Sequence, residues 1–202
     1  MNQIKCKERK ITPSKVVCIG RNYVDHIKEL GNETPDSMIV FNKPNSAITN
    51  ELKYFSPVTR FEGEICFLIK DKQIIALGFG LDLTHADIQN ELKSKKLPWE
   101  RAKSFNGSAV LGEFVPFNGD ITKIRLELFI NDTLTQFADY ELMMYKPLEM
   151  IKEIESFMSL ENGDVIMSGT PKGVGNYKKG DIFIGRVYEE DTLLIETTWI
   201  VK

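Results

Sequence analysis

The chain has 202 residues, 42% of them hydrophobic and 27% charged, and carries a net charge of −3. These values are ordinary for a globular protein, and without a basic excess we expect neither nucleic acid nor an anionic membrane as a partner. The length fits a single domain over residues 1–202. Three cysteines in no paired motif, and an N-terminus without an apolar leader, indicate a reducing, cytoplasmic location.

Hydrophobic spacing in the first part of the chain predicts short strands around one short helix. A buried strand is expected over 15–20, followed by a helix that Asn22 caps and that runs to Leu30. A polar, turn-rich segment follows at 31–37, and a strand at 38–41. A short helix with such a segment behind it is suited to a lid.

Further along, strands outnumber helices. The clearest strand, 61–70, should pair with 74–79 across the turn at Asp71-Lys72. The remaining predictions are helices at 84–95 and 147–157, a strand at 125–131 that ends in an Asn131-Asp132 hairpin turn, and strands at 164–169, 181–188 and 192–201. The fold class is therefore α+β with a predominantly β core.

The motif Glu62-Gly63-Glu64, at the head of strand 61–70, is the most informative one. Side chains two residues apart on a strand share a face, and this face continues into the apolar Cys66 and Leu68. Two carboxylates that face an enclosed space repel each other, and a divalent cation relieves that cost. Taken alone, the motif could equally mark a solvated edge strand.

Asp82 ends another strand-like segment and could supply a third oxygen ligand. Three carboxylates, without cysteine or histidine at matching spacing, select a hard cation such as Mg²⁺ or Mn²⁺ over zinc. The chain has two histidines, His26 and His85, which excludes a histidine-rich zinc site.

His26 and Glu29 are three residues apart on the first predicted helix and so within reach of each other. A carboxylate that holds the imidazole N–H fixes its tautomer and raises its basicity, which suits water activation or proton transfer. The plainer alternative is an exposed histidine beside a surface glutamate.

Two lysines and one glycine-rich turn are candidates for binding an anionic substrate. Lys43 and Lys103 could bind a carboxylate or enolate, although most lysines are simply solvated. The turn over 163–175 lacks both common nucleotide-binding patterns. Its backbone N–H groups and the Thr170 hydroxyl could still bind a carboxylate.

Six sequence blocks together resemble the fumarylacetoacetate hydrolase family. In chain order the blocks are IGRNYVDHIKEL, FNKPNSAI, FEGEICFLI, GLDLTHADIQ, LPWERAKSFNGSAVLG and GDVIMSGTPKGVG. They are similar to the small single-domain members, the acylpyruvases and the hydroxymuconate or heptadienedioate isomerases. The resemblance implies a mixed β-sandwich roll of the family's C-terminal-domain type, a homodimer, and a small keto-acid substrate.

The resemblance also implies individual roles for residues of this chain. The metal, Mg²⁺ or Mn²⁺, would be held by Glu62, Glu64 and Asp82. His26 and Glu29 would close over the site and activate water, and Lys103 would contact the substrate. The substrate pocket would include Arg21, Lys43, Gln89 and Thr170.

One departure from the family pattern bears on the substrate. The family commonly has an arginine in a T-A-R-D block, where this chain has Thr84-His85-Ala86-Asp87. If that arginine helps to hold an acidic substrate, Ala86 puts the usual keto-acid preference in question.

Hydrolysis of a C–C bond in acylpyruvate-type 2,4-diketo acids is the function that these patterns favour. The metal would stabilise the enolate that develops as the bond breaks, and water deprotonated by His26 would attack the distal carbonyl. The same chemistry permits isomerisation of hydroxymuconate-type dioates, and tautomerisation or decarboxylation of oxaloacetate. A non-catalytic binding module is the remaining alternative, and metal-dependent thermal stabilisation would argue against it.

Overall fold

The computed structural model describes residues 1–31 and 35–202 and confirms a predominantly β architecture of the α+β class. Its strands are β1 (Ile4–Cys6), β2 (Arg9–Ile11), β3 (Lys15–Gly20), β4 (Ile39–Pro44), β5 (Ile48–Thr49), β6 (Thr59–Phe61), β7 (Gly63–Lys70), β8 (Gln73–Asp82), β9 (Thr84–His85), β10 (Ala109–Leu111), β11 (Val115–Pro116), β12 (Ile124–Ile130), β13 (Thr133–Asp139), β14 (Val165–Met167), β15 (Gly175–Asn176), β16 (Ile182–Glu189) and β17 (Thr192–Ile200). Its helices are α1 (Val24–Glu29), α2 (Ala86–Ser94), α3 (Glu100–Lys103) and α4 (Pro147–Glu155). Within the two described ranges, none of the helices combines the length and the apolar character that crossing a membrane requires.

The largest sheet carries the strands that build the site. Its order is β4-β3-β14-β7-β8-β10-β5, and β11 pairs with the far end of β8. Strands β3, β7 and β14 are buried on both faces, which explains why their sequences are continuous apolar runs rather than alternating ones. These three strands form the buried centre of the large sheet.

A four-stranded antiparallel sheet, in the order β13-β12-β16-β17, packs against one face of the large sheet. Phe67 and Phe79 of the large sheet and Leu128 and Phe183 of the smaller one are fully buried in a shared core. Because β12 is buried on one face only, its hydrophobic residues alternate as the sequence predicts. Burying these apolar faces against each other is what holds the two sheets together.

A small three-stranded sheet, β15-β6-β9, leads the chain into the site. Its central strand β6 pairs with β9 so that Thr59 faces His85 and Arg60 faces Thr84. Strand β6 ends at Phe61, so its pairing with β9 fixes the position of the next residue, Glu62, the first of the acidic residues.

The predicted elements are found, with three main differences, the first of which is that the predicted strand 61–70 is divided at Glu62 into β6 and β7. Strand β3 has the predicted bounds, and β7 pairs with β8 across Asp71-Lys72 as predicted. The prediction that Asn22 caps α1 is wrong: Tyr23 is the N-cap residue, and the Asn22 amide instead binds the backbone of distant segments. The predicted helix at 84–95 begins two residues later, because β9 occupies its first two positions. Part of the predicted turn at 31–37, residues 32–34, lies outside the described residues.

Candidate metal and substrate site

The β7–β8 hairpin brings the three acidic residues together. Its register places Gly63 opposite Leu81, and the Asp82 N–H donates to the Glu62 carbonyl oxygen at 2.8 Å. Glu62, Glu64 and Asp82 are exposed by 5%, 2% and 1%, and each offers one carboxylate oxygen within 4.8 Å of the other two. The triad is therefore a compact, buried cluster of oxygen ligands.

Two buried lysines border this acidic cluster. Lys103 Nζ donates to Glu62 Oε2 at 2.7 Å, to Asp82 Oδ2 at 2.6 Å and to Thr84 Oγ1 at 2.7 Å. Lys43 Nζ lies 2.8 Å from Asp82 Oδ1 and also donates to the carbonyl oxygens of Leu83 and Lys103. Because Lys43 is fully buried and absent from the cavity wall, it neutralises Asp82 from behind instead of lying where a substrate could reach it.

The charges in the cluster are unevenly balanced. Burial raises the pKa of Glu62, but Lys103, Arg60 and His26 outweigh burial and hold that pKa well below its usual range. Burial, followed by the charges of Asp82 and Glu62, raises the pKa of Glu64 well above its usual range. The cluster thus lacks the positive charge that would keep all three carboxylates ionised together.

These features fit a divalent cation. The donors are all carboxylate oxygens, which suits Mg²⁺ or Mn²⁺. Both Asp82 oxygens are ion-paired, Oδ1 with Lys43 Nζ at 2.8 Å and Oδ2 with Lys103 Nζ at 2.6 Å, so a bound cation would share Asp82 with the lysines or displace one of them. A cation would also stabilise the ionised form of Glu64, which the cluster alone disfavours.

His26 and Glu29 both lie on α1, and of the two His26 lines the same cavity. His26 Nδ1 lies 3.2 Å from Glu29 Oε2, and the Glu29 carboxylate also accepts from the Gly173 N–H at 3.0 Å. Burial lowers the pKa of His26, against the opposing effects of Glu62 and Glu29. The imidazole is therefore held neutral near pH 7, with Nε2 as the nitrogen left for proton transfer.

Three further predicted residues, Arg21, Gln89 and Thr170, also line the cavity. Arg21 adopts a left-handed backbone conformation, with φ at 55°, directly after β3. Gln89 is buried on α2 and accepts from Arg60 at 2.9 Å. The Thr170 hydroxyl donates to the Gly63 carbonyl oxygen at 3.0 Å, so in this geometry it supports the acidic loop.

A buried polar network, which the sequence patterns did not reveal, holds the Glu62–Glu64 loop. The Gly63 N–H donates to Gln136 Oε1 at 2.9 Å, and Gln136 Nε2 donates to Thr170 Oγ1 at 2.8 Å. A Cβ atom on Gly63 would lie 2.9 Å from Gln136 Oε1, so any other residue at this position would push away the amide that holds the loop. Gln136 comes from β13, and no local signal in the sequence connects it with this loop.

Two cations that the sequence patterns also missed, Arg60 and Lys93, complete the wall. Arg60 Nε donates to Glu62 Oε1 at 3.0 Å. Burial, and then the charges of Arg21 and Arg60, lower the pKa of Lys93 to about 8. The free volume of this partly open cavity is about 30 Å³, room for one or two water molecules, so part of the wall must move to admit a keto acid.

Comparison with known proteins identifies similar sequences along most of the chain. The profile of the fumarylacetoacetate (FAA) hydrolase C-terminal domain matches residues 15–189. The oxaloacetate tautomerase YcgM of Escherichia coli K12 is 35% identical over 187 residues, which cover 83% of this chain and 85% of that protein. The mitochondrial oxaloacetate tautomerase oaa1 of Schizosaccharomyces pombe is 36% identical over 194 residues, covering 86% and 88%.

A solved structure shows that the fold is shared as well. The fumarylpyruvate hydrolase of Pseudomonas aeruginosa, crystallised with Mn²⁺ and pyruvate, superposes with a TM-score of 0.89 over 99% of this chain and 95% of that one. Its sequence is 24% identical to this chain, so the likeness extends to the fold alone. The sequence and fold comparisons agree with the family resemblance that the motifs carry.

Proposed function

This chain belongs to the fumarylacetoacetate hydrolase family, and from that premise we propose that it is a divalent-metal-dependent enzyme that interconverts the keto and enol forms of oxaloacetate. The observation that carries the proposal is a buried triad of carboxylates, Glu62, Glu64 and Asp82, in one cavity with a neutral histidine. Two relatives at 35% and 36% identity are oxaloacetate tautomerases, which favours this substrate.

The proposed metal site consists of the triad, with Mg²⁺ or Mn²⁺ as the cation that its oxygens suit. Such a cation would act as a Lewis acid that lowers the cost of negative charge on the keto oxygen of the substrate. Lys103 contributes a second positive charge beside Glu62 and Asp82. Both effects would stabilise the enolate-like negative charge that develops in the transition state and so lower the barrier in both directions.

His26 is the proposed proton carrier. Its Nε2 takes a proton from carbon 3 of the keto form, which leaves the enolate, and the resulting imidazolium delivers that proton to the enolate oxygen to give the enol. In the reverse direction Nε2 takes the enol O–H proton and returns it to carbon 3. Glu29 holds Nδ1–H and stabilises the imidazolium that forms. Because the free volume of the cavity is small, few water molecules compete for the proton.

Hydrolysis of acylpyruvates is the second candidate. The contact between His26 and Glu29 is the observation that favours it, because an oriented base can also deprotonate a water molecule. In that reaction the hydroxide would attack the distal carbonyl, and the C–C bond would break to give an acyl acid and pyruvate.

The homodimeric state and the cytoplasmic location stay predictions, and sedimentation of the purified chain would test the first.

A paired assay separates the two candidates. Decay of the enol absorbance of oxaloacetate, and pyruvate released from acetylpyruvate, would be measured with Mg²⁺ and again after chelation. We expect metal-dependent acceleration of the oxaloacetate decay that exceeds any acetylpyruvate cleavage. Faster cleavage than tautomerisation would support hydrolysis, and equal rates before and after chelation would contradict both candidates.

A further inference from the structure

Arg60 places a guanidinium group in the cavity wall. It lies on β6, directly opposite Thr84 of β9, and two residues beyond Thr84 this chain has Ala86, whose side chain carries no charge. The cation of Arg60 thus approaches the site from the strand that pairs with β9.

The guanidinium is held firmly from two sides. Nε donates to Glu62 Oε1 at 3.0 Å and Nη2 donates to Gln89 Oε1 at 2.9 Å, with the side chain only 12% exposed. Among the described residues, Nη1 donates to no partner. A planar fork fixed in this way retains N–H donors for an incoming carboxylate and loses little conformational entropy on binding it.

The wall around Arg60 is positively charged. Apart from the metal-binding triad and His26, the ionisable side chains that line the cavity in the described part of the chain are all cations: Arg21, Arg60, Lys93 and Lys103. Burial, and then the charges of Arg21 and Arg60, lower the pKa of Lys93 to about 8, so these cations lie close enough to act on one another. An anionic group of a substrate placed among them would be attracted to this part of the wall.

We infer that Arg60 is a specificity-determining residue that binds the carboxylate of a dicarboxylic keto acid remote from the keto group. The inference deepens the proposed function and rests on it. The competing explanation is that Arg60 merely neutralises Glu62. In that case its removal would weaken every ligand of the metal site equally, whether or not the ligand has a second carboxylate.

Two hydroxy acids of matched shape separate these explanations. Malate has a distal carboxylate, and 2-hydroxybutyrate has a methyl group in its place. Calorimetry with saturating Mg²⁺ would measure the binding of both by the wild type, by Arg60→Gln, by Arg60→Lys and by the control Arg101→Gln, whose exposed arginine lies outside the cavity. Arg60→Lys keeps a cation beside Glu62 and serves if Arg60→Gln does not fold.

We expect Arg60→Gln to weaken the binding of malate roughly 10- to 100-fold, which is the usual effect of losing a charged hydrogen-bonded pair. The binding of 2-hydroxybutyrate should weaken by less than about 3-fold. Arg60→Lys should still weaken the binding of malate about 5-fold, since an ammonium lacks the planar pair of N–H donors of a guanidinium. Arg101→Gln should leave the binding of both ligands unchanged. Equal weakening of both ligands, unchanged malate binding, or no malate binding by the wild type would overturn the inference. Selective loss of malate in a protein that does not tautomerise oxaloacetate would uphold Arg60 and refute the proposed function instead.

Discussion

The acidic cradle on the β7–β8 hairpin and the short helix α1 face the same cavity but are built in different ways. The cradle consists of Glu62, Glu64 and Asp82, buried within the largest sheet and braced by two lysines. Helix α1 has six residues, and the polar contacts on its outer side are with an exposed loop, through Asp25–Lys172 and Glu29–Gly173. Under the proposed function the two regions have separate tasks, because the sheet fixes the geometry of the charges while the helix carries His26, the proposed proton carrier.

The same difference identifies which wall can move. Shifting a strand of the cradle would break ladder hydrogen bonds and expose core residues, whereas exposed ion pairs contribute only about 0–1 kcal/mol each. Displacing helix α1 would break no ladder hydrogen bond of the large sheet, and its cost would come mainly from exposing the buried Ile27. If this is right, substitutions in the two regions should affect metal binding and proton transfer separately.

The largest effect is expected in the cradle, from Glu64→Gln. The substitution removes a charged ligand but keeps an oxygen for the Gly169 N–H, which donates to Glu64 at 2.7 Å. The activity should fall at least about 1,000-fold, because a Lewis acid supplies several kcal/mol, and the rise in Tm on adding Mg²⁺ should vanish. Differential scanning fluorimetry with and without Mg²⁺ checks this, with the exposed Glu8→Gln as control. A retained Mg²⁺ shift would contradict the ligand role of Glu64.

A smaller effect on turnover is expected on the helix side, from His26→Gln. Loss of a positioned acid–base group should lower kcat by about 100- to 10,000-fold while leaving the Mg²⁺-dependent rise in Tm intact. Steady-state kinetics and the same fluorimetry distinguish it from Glu64→Gln. If His26→Gln also removed the metal-dependent shift, the two regions would not be functionally separate.

The dependence of kcat/KM on pH tests the role of His26 on helix α1. His26 accepts a proton only when neutral, so kcat/KM should fall as the pH drops below the pKa of His26, which burial holds below 6.5. Glu29 favours the protonated form, so Glu29→Gln should move this acid limb to still lower pH and reduce kcat about tenfold. A limb that moves to higher pH in this variant would contradict the pairing of the two residues.

The smallest effect is expected from Lys172→Ala. The Lys172–Asp25 pair spans 3.2 Å, but its side chains are 67% and 59% exposed, so its loss should cost less than about 1 kcal/mol. Turnover should stay within about twofold of the wild type, and Lys178→Ala provides a second exposed lysine for comparison. A tenfold change in turnover would mean that this ion pair controls the position of α1.

The sequence predicts much of the fold because the central strands carry strong local signals. The apolar run of β3 and the turn at Asp71-Lys72 identify their elements within a few residues. The mistaken helix cap at Asn22 has a physical cause. Its amide binds the carbonyl oxygens of Tyr145 and Ser168, and tertiary contacts across more than a hundred residues outweigh a local capping preference.

The residues of the candidate site also fall into those that local sequence signals predict and those that only tertiary contacts bring into place. The sequence identifies the acidic triad because spacing on a strand puts two carboxylates on one face, and family motifs supply the third. Arg60 and Gln136 were missed, since each enters the site through strand pairing or sheet packing that no local pattern encodes. Lys43 was placed among the substrate contacts, and only the three-dimensional structure shows that it lies behind Asp82.

Anomalous diffraction from crystals of the wild type grown with Mn²⁺ addresses the metal site most directly. One anomalous peak is expected, within bonding distance of carboxylate oxygens from Glu62, Glu64 and Asp82 together. Lys103 should then give up at least one of its two carboxylate contacts to the ion. A well-ordered triad without such a peak, with Lys103 still bridging Glu62 and Asp82 at high Mn²⁺ concentration, would show that the lysine and not a metal balances these charges.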